Sequence, residues 1–184
     1  MTATHCSASF GTPELERSSP AVAIGTLSRS PKRALNFISV GSSILWPEKL
    51  KKAIEGKSCI HDSSRNSAGE LRRGFQTTLD VTKTPGAVHP LVRLHPVTKR
   101  KALFLGRRPG AYIHGLSVAE SEALLDALWA HATQDRFAWY QKWRIGDLVM
   151  WDNRCVMHRR DAFDENLRRL MHRTQIVGEP VLAG

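Results

Sequence analysis

The chain has 184 residues, 41% of them apolar, which suits one domain with one core. Its net charge of +10 raises a nucleic-acid partner, but the basic residues are spread over 49–73, 93–108 and 154–173. With no helix-turn-helix, zinc-finger or aromatic-interleaved sheet pattern among them, the charge reads as surface and part of an anion site, with no nucleic acid. No run of about 18 apolar residues and no signal-peptide pattern stands out, and the three cysteines, Cys6, Cys59 and Cys155, lack C-x-x-C spacing. The expectation is a soluble cytoplasmic protein with no membrane partner, disulfide framework or thiolate zinc site.

Residues 1–46 differ in texture from the rest: nine serines, two acidic residues and no sustained apolar period. They read as an atypical segment, disordered or foreign to the domain that follows at 47–184. Pro47 then opens a short helix with Leu50 and Ile54 four apart and Gly56 as its stop. Residues 56–65, with the adjacent pair His61-Asp62, read as a connection, and 63–85 as a polar loop.

Residues 88–94 and 101–105 predict two strands of an antiparallel hairpin turning at 95–99. His89 and His95 each precede proline, which holds them extended, and both read as structural or exposed. Ser117 and Glu120 make a capping box for a long helix whose stripe Leu124, Leu125, Leu128 and Trp129 faces a core. Residues 137–143 predict a strand, and 144–147 turn it into another.

That last strand, Asp147 to Trp151, is apolar and breaks at Asp152-Asn153-Arg154, with His158 just beyond it. A strand at 169–177 places Arg169, Met171, Arg173 and Gln175 on one face by its period of two. One imidazole beside two parallel guanidinium groups is an anion site next to a candidate metal ligand. The bland alternative is a hydrogen-bonded structural histidine and a solvated strand edge carrying two arginines.

Gly146-Asp147, Trp151-Asp152-Asn153-Arg154, His158, Arg169 and Met171-His172-Arg173, with the long helix upstream, resemble the C-terminal signature of the Fe(II)/2-oxoglutarate-dependent dioxygenases of the taurine dioxygenase and chlorophenoxyacetate dioxygenase (TauD/TfdA) family. The resemblance begins near Pro47. It implies a β-rich α+β fold, part of a double-stranded β-helix (a jelly roll of the clavaminate-synthase type) with one long helix. It implies Fe(II) as cofactor and 2-oxoglutarate as co-substrate, converted to succinate and CO2 while a small anionic substrate, such as an aryloxyalkanoate, is hydroxylated. By the same resemblance His158 is the distal metal ligand, Arg169 clamps the far carboxylate of 2-oxoglutarate, Arg173 lies near the substrate anion, and Trp151 packs under the site.

The family's other two ligands come as His-x-Asp or His-x-Glu, and none of the eight histidines here is followed by an acid two residues on. A single imidazole holds Fe(II) weakly. Two expectations follow. The first is a dioxygenase-family enzyme; the second is a truncated, catalytically inactive remnant in which residues 1–46 replace the usual N-terminal half through a frameshift, truncation or misplaced start. An open half-barrel would expose sheet edges and apolar surface, which favours association, including a homo-oligomer.

Overall fold

The computed structural model describes residues 22–29, 35–39, 46–66, 69–106, 109–160, 166 and 170–184, with the backbone alone for 22–29, 35–39, 159–160 and 170. Two strands, β1 (Val22–Arg29) and β2 (Leu35–Ser39), lie in the segment read as disordered or foreign to the domain. Each takes a central place in a sheet built mostly from the other end of the chain. Their pairing partners, and not an internal period, define them.

Pro47 sets the entry to α1 (Glu48–Ile54), and Leu50 and Ile54 turn one side of this helix to the core. Gly56 follows at φ +66°, a left-handed conformation that glycine adopts without a Cβ clash. The chain then enters β3 (Ser58–Asp62). Here the structure corrects the sequence reading, which placed His61 and Asp62 in a connection. The pairing of β3 with β4 (Gly86–Pro90) and later with β7 (Tyr112–Ile113) makes it a central strand, with Cys59 and Ile60 buried.

The predicted hairpin is present as β5 (Val92–Leu94) and β6 (Lys101–Leu103), in the register Val92↔Leu103, Arg93↔Ala102, Leu94↔Lys101. Its turn is closed by His95 N–H donating to Arg100 O and Lys99 N–H to His95 O. The long helix is α2 (Val118–Ala132), and both halves of its capping box form: Glu120 N–H donates to Ser117 Oγ, and Ser117 N–H to Glu120 Oε2. Its buried face is Ser121, Leu125, Leu128 and Ala132, spaced four, three and four apart, while Trp129 of the predicted stripe is left 38% exposed. Each fully buried leucine on this face contributes roughly 2 kcal/mol. Replacing Ser117 with alanine is expected to cost about 1 kcal/mol, because the Glu120 N–H loses its side-chain acceptor; thermal unfolding measures it.

The remaining strands are β8 (Ala138–Gln141), β9 (Leu148–Asp152), β10 (Val156–Arg160), β11 (Leu170–Ile176) and β12 (Leu182–Ala183). They assemble with the earlier ones into four three-stranded antiparallel sheets, ordered β11-β1-β9, β10-β2-β8, β12-β5-β6 and β4-β3-β7. The main core joins Leu91, Leu103, Leu105 and Ile113 to the face of α2, and a smaller cluster of Trp143, Val149 and Trp151 packs with Val156 and Met171. Along β9 the burial alternates: Val149 and Trp151 point inward, while Leu148 and Met150 are exposed. No helix among the described residues is long and apolar enough to cross a membrane.

Candidate active site

The turn between β9 and β10 is built by its own side chains. Asp152 Oδ1 accepts from Arg154 N at 2.8 Å and Arg154 Nε at 2.9 Å, and its Oδ2 from Arg154 Nη2 at 2.8 Å. Cys155 N–H donates to Asp152 O at 3.2 Å, and the Trp151 indole N–H to Asn153 Oδ1 at 2.8 Å. The polar break after β9 is thus a rigid reversal. It returns the chain as β10, so His158 stands within a strand and not just beyond one, as the sequence had suggested. The β10 run is short, and its strand character comes from pairing with β2, where His158 lies opposite Phe37.

Trp151 and His158 face each other across this reversal, with ring centroids 5.1 Å apart at 52°. From β11, Arg173 brings its guanidinium carbon to 5.9 Å from the same indole. Burial, and then the positive charge of Arg173, push the His158 imidazole down to about 4, so that it is neutral at pH 7 and keeps a lone pair free of a proton. Three of the four residues singled out by the sequence are therefore neighbours. Arg169 lies outside the described residues.

The tie that sequence reasoning missed runs from this turn to the β5–β6 hairpin. His95, 8% exposed, has its Nε2 at 3.0 Å from Asp152 Oδ2, while the backbone N–H groups of Val97 and Thr98 donate to its Nδ1 at 3.3 and 3.1 Å. Two donors on Nδ1 fix the tautomer: the proton sits on Nε2 and points at the carboxylate. For Asp152, burial alone would raise the pKa, but hydrogen bonds from Arg154 and His95 outweigh it and hold the carboxyl at about 2.

His95, Asp152 and Cys155 bring three metal-ligand atoms within 4.8 Å of one another, the only such trio among the described residues. Its hydrogen bonds argue against a metal there. Nε2 carries the proton, Asp152 is occupied by Arg154, and burial pushes the Cys155 thiol up, away from the thiolate. His158 belongs to no group of three or more His, Cys, Asp or Glu ligands among the described residues. Those residues do not by themselves complete a three-ligand set for a divalent iron on His158.

A family model described as Taurine catabolism dioxygenase TauD, TfdA family matches residues 45–175. The chain is 38% identical over 134 residues to an alpha-ketoglutarate-dependent 2,4-dichlorophenoxyacetate dioxygenase from Burkholderia sp. (strain RASC), a match covering 72% of this chain and 44% of that protein. It is 41% identical over 106 residues to an (S)-phenoxypropionate/alpha-ketoglutarate-dioxygenase from Delftia acidovorans, over 58% of this chain and 35% of the relative. The chain thus spans about half the length, or less, of these relatives. Among solved structures, AAD-2 in complex with Mn(II) and N-oxalylglycine matches with a TM-score of 0.78 at 30% identity, over 97% of this chain and 70% of that one. A taurine dioxygenase from Burkholderia xenovorans matches with a TM-score of 0.74 at 27% identity, over 99% of this chain and 60% of the other. The β-rich jelly-roll fold expected from the sequence is the fold of these structures.

Proposed function

Because the chain belongs to the TauD/TfdA dioxygenase family, we propose that it carries the imidazole-and-arginine part of a site where a small anionic substrate is hydroxylated at the expense of 2-oxoglutarate. In this reading His158 is one ligand of Fe(II), and Trp151 packs against it and fixes its ring. Arg169 holds the far carboxylate of 2-oxoglutarate and Arg173 receives the substrate anion. Succinate and CO2 are the co-products. The observation that carries the reading is a neutral, largely buried imidazole and a guanidinium meeting on one indole. A metal needs the unprotonated ring, and an anion needs the cation beside it. The names of the relatives at 38% and 41% identity support an aryloxyalkanoate as the substrate. The remaining metal ligands would come from outside the described residues.

One observation favours a second reading, a family member without turnover: His158 belongs to no three-ligand group among the described residues, and the sequence has no His-x-Asp or His-x-Glu pair. Anaerobic titration of the purified chain with Fe(II) and 2-oxoglutarate separates the two. The first reading expects a weak, saturable visible absorption that His158→Ala abolishes. Folded protein that gives no absorption would leave the second reading in possession.

A further inference from the structure

We propose that Arg93 anchors a buried binding site for a small carboxylate ligand. The inference does not depend on the role given to His158. Arg93, at the centre of β5, is 1% exposed, yet among the described residues its Nε and Nη1 have no hydrogen-bond partner. Burial lowers its pKa, but a guanidinium remains charged in proteins and cannot escape by releasing its proton. Asp152 and Glu179 act on its charge through space, but two of its buried N–H groups lack a hydrogen bond, which is costly, so the position calls for an acceptor.

The buried carboxylate of Asp62 and the half-buried one of Asp152 are engaged elsewhere. Asp62 accepts from Ser64 N, Ser64 Oγ and Gly110 N. Asp152 is held by Arg154 and His95, and Arg154 also reaches Glu179 at 3.4 Å. Both cross-strand neighbours of Arg93 are alanines, Ala102 on β6 and Ala183 on β12, which are too short to cover its N–H groups.

The surroundings also define what fits. The Phe104 ring lies 4.7 Å from the guanidinium carbon, and a guanidinium stacked on a ring directs its N–H groups within its own plane, toward an acceptor lying in it. His89 packs on the same ring, with centroids 5.1 Å apart. Burial, and then the charge of Arg93, lower the pKa of His89, so at neutral pH it is an uncharged imidazole with one N–H to donate. Paired guanidinium N–H groups, a neutral donor and an aromatic wall match a planar carboxylate.

The test follows the Arg93 Nε–H signal of the full chain by 15N–1H correlation, assigned through its contact with the Phe104 ring. Sodium acetate is titrated against sodium chloride at constant ionic strength, with inorganic phosphate as a parallel arm. The expected result is a saturable shift of Arg93 with acetate, where exposed arginines drift linearly. Apparent affinity, read from acetate-dependent thermal stabilisation, should fall at least roughly tenfold in Arg93→Met. An Arg93 signal indifferent to acetate, or one that responds to phosphate alone, would overturn the assignment. So would equal stabilisation of Arg93→Met. The wild-type titration decides the matter even if the variant does not fold.

Discussion

Asp152→Asn is expected to lower stability by about 2 kcal/mol and the melting temperature by roughly 6 °C, although it changes no volume. Every group that meets this carboxylate is a donor: Arg154 N and Nε at Oδ1, and Arg154 Nη2 and the His95 Nε2–H at Oδ2. An amide has one oxygen, so whichever way it is turned its NH2 opposes a donor. The same contacts fix the pH window. The folded pKa of Asp152 is about 2, below the unfolded value of about 3.9, so its stabilisation is complete above about pH 4 and is lost as pH falls through 2. With the side chain a quarter exposed, solvent screening trims the full linkage to about 2 kcal/mol. Urea unfolding of both proteins from pH 7 to 2 should show a gap that closes below pH 4. A gap constant with pH would mean that the charge is not its origin.

What the sequence disclosed and what it withheld divide by range. The capping box of α2 and the Pro47 helix start are local patterns, and each is present where the spacing put it, whereas the apolar run read as one buried strand, β9, leaves Leu148 and Met150 exposed. β3 was hidden because Cys59 and Ile60 are too short an apolar run to announce a strand; its hydrogen bonds come from β4 and β7. β10 was hidden for the same reason, since its partner β2 lies at the other end of the chain.

The site divides in the same way. Trp151, His158 and Arg173 were named from residue type, spacing and family likeness, and they meet on one indole. The tie between His95 and Asp152 spans 57 positions, and nothing local to either residue predicts it. The proline after His95 gave a hint, because it holds the backbone extended at the hairpin turn where the ring receives two N–H groups. That tie joins the β9–β10 turn to a second sheet, and so fixes the strand that delivers His158.

In the metal-free chain the His158 imidazole should take up a proton only near pH 4, and this should make the protein less stable in mild acid. The folded pKa is depressed from 6.5 to about 4, first by burial and then by Arg173. Between those values the unfolded chain binds a proton that the folded chain refuses. Stability from this group is therefore complete above about pH 6.5, declines as pH falls to about 4 and is level below it. The span corresponds to about 3 kcal/mol. Other histidines titrate in the same range, so the measurement is a difference: urea unfolding of the wild type and of His158→Gln, both metal-free, across pH 4 to 7. The Gln variant should lack about 3 kcal/mol of the acid-induced loss, and Arg173→Met, which removes the second cause, should move the His158 midpoint upward. An NMR titration that placed His158 at 6 or above would refute the depressed pKa of this largely buried imidazole. Confirmation would bear directly on function, because a ring already neutral at pH 7 offers its lone pair to a divalent metal without first releasing a proton.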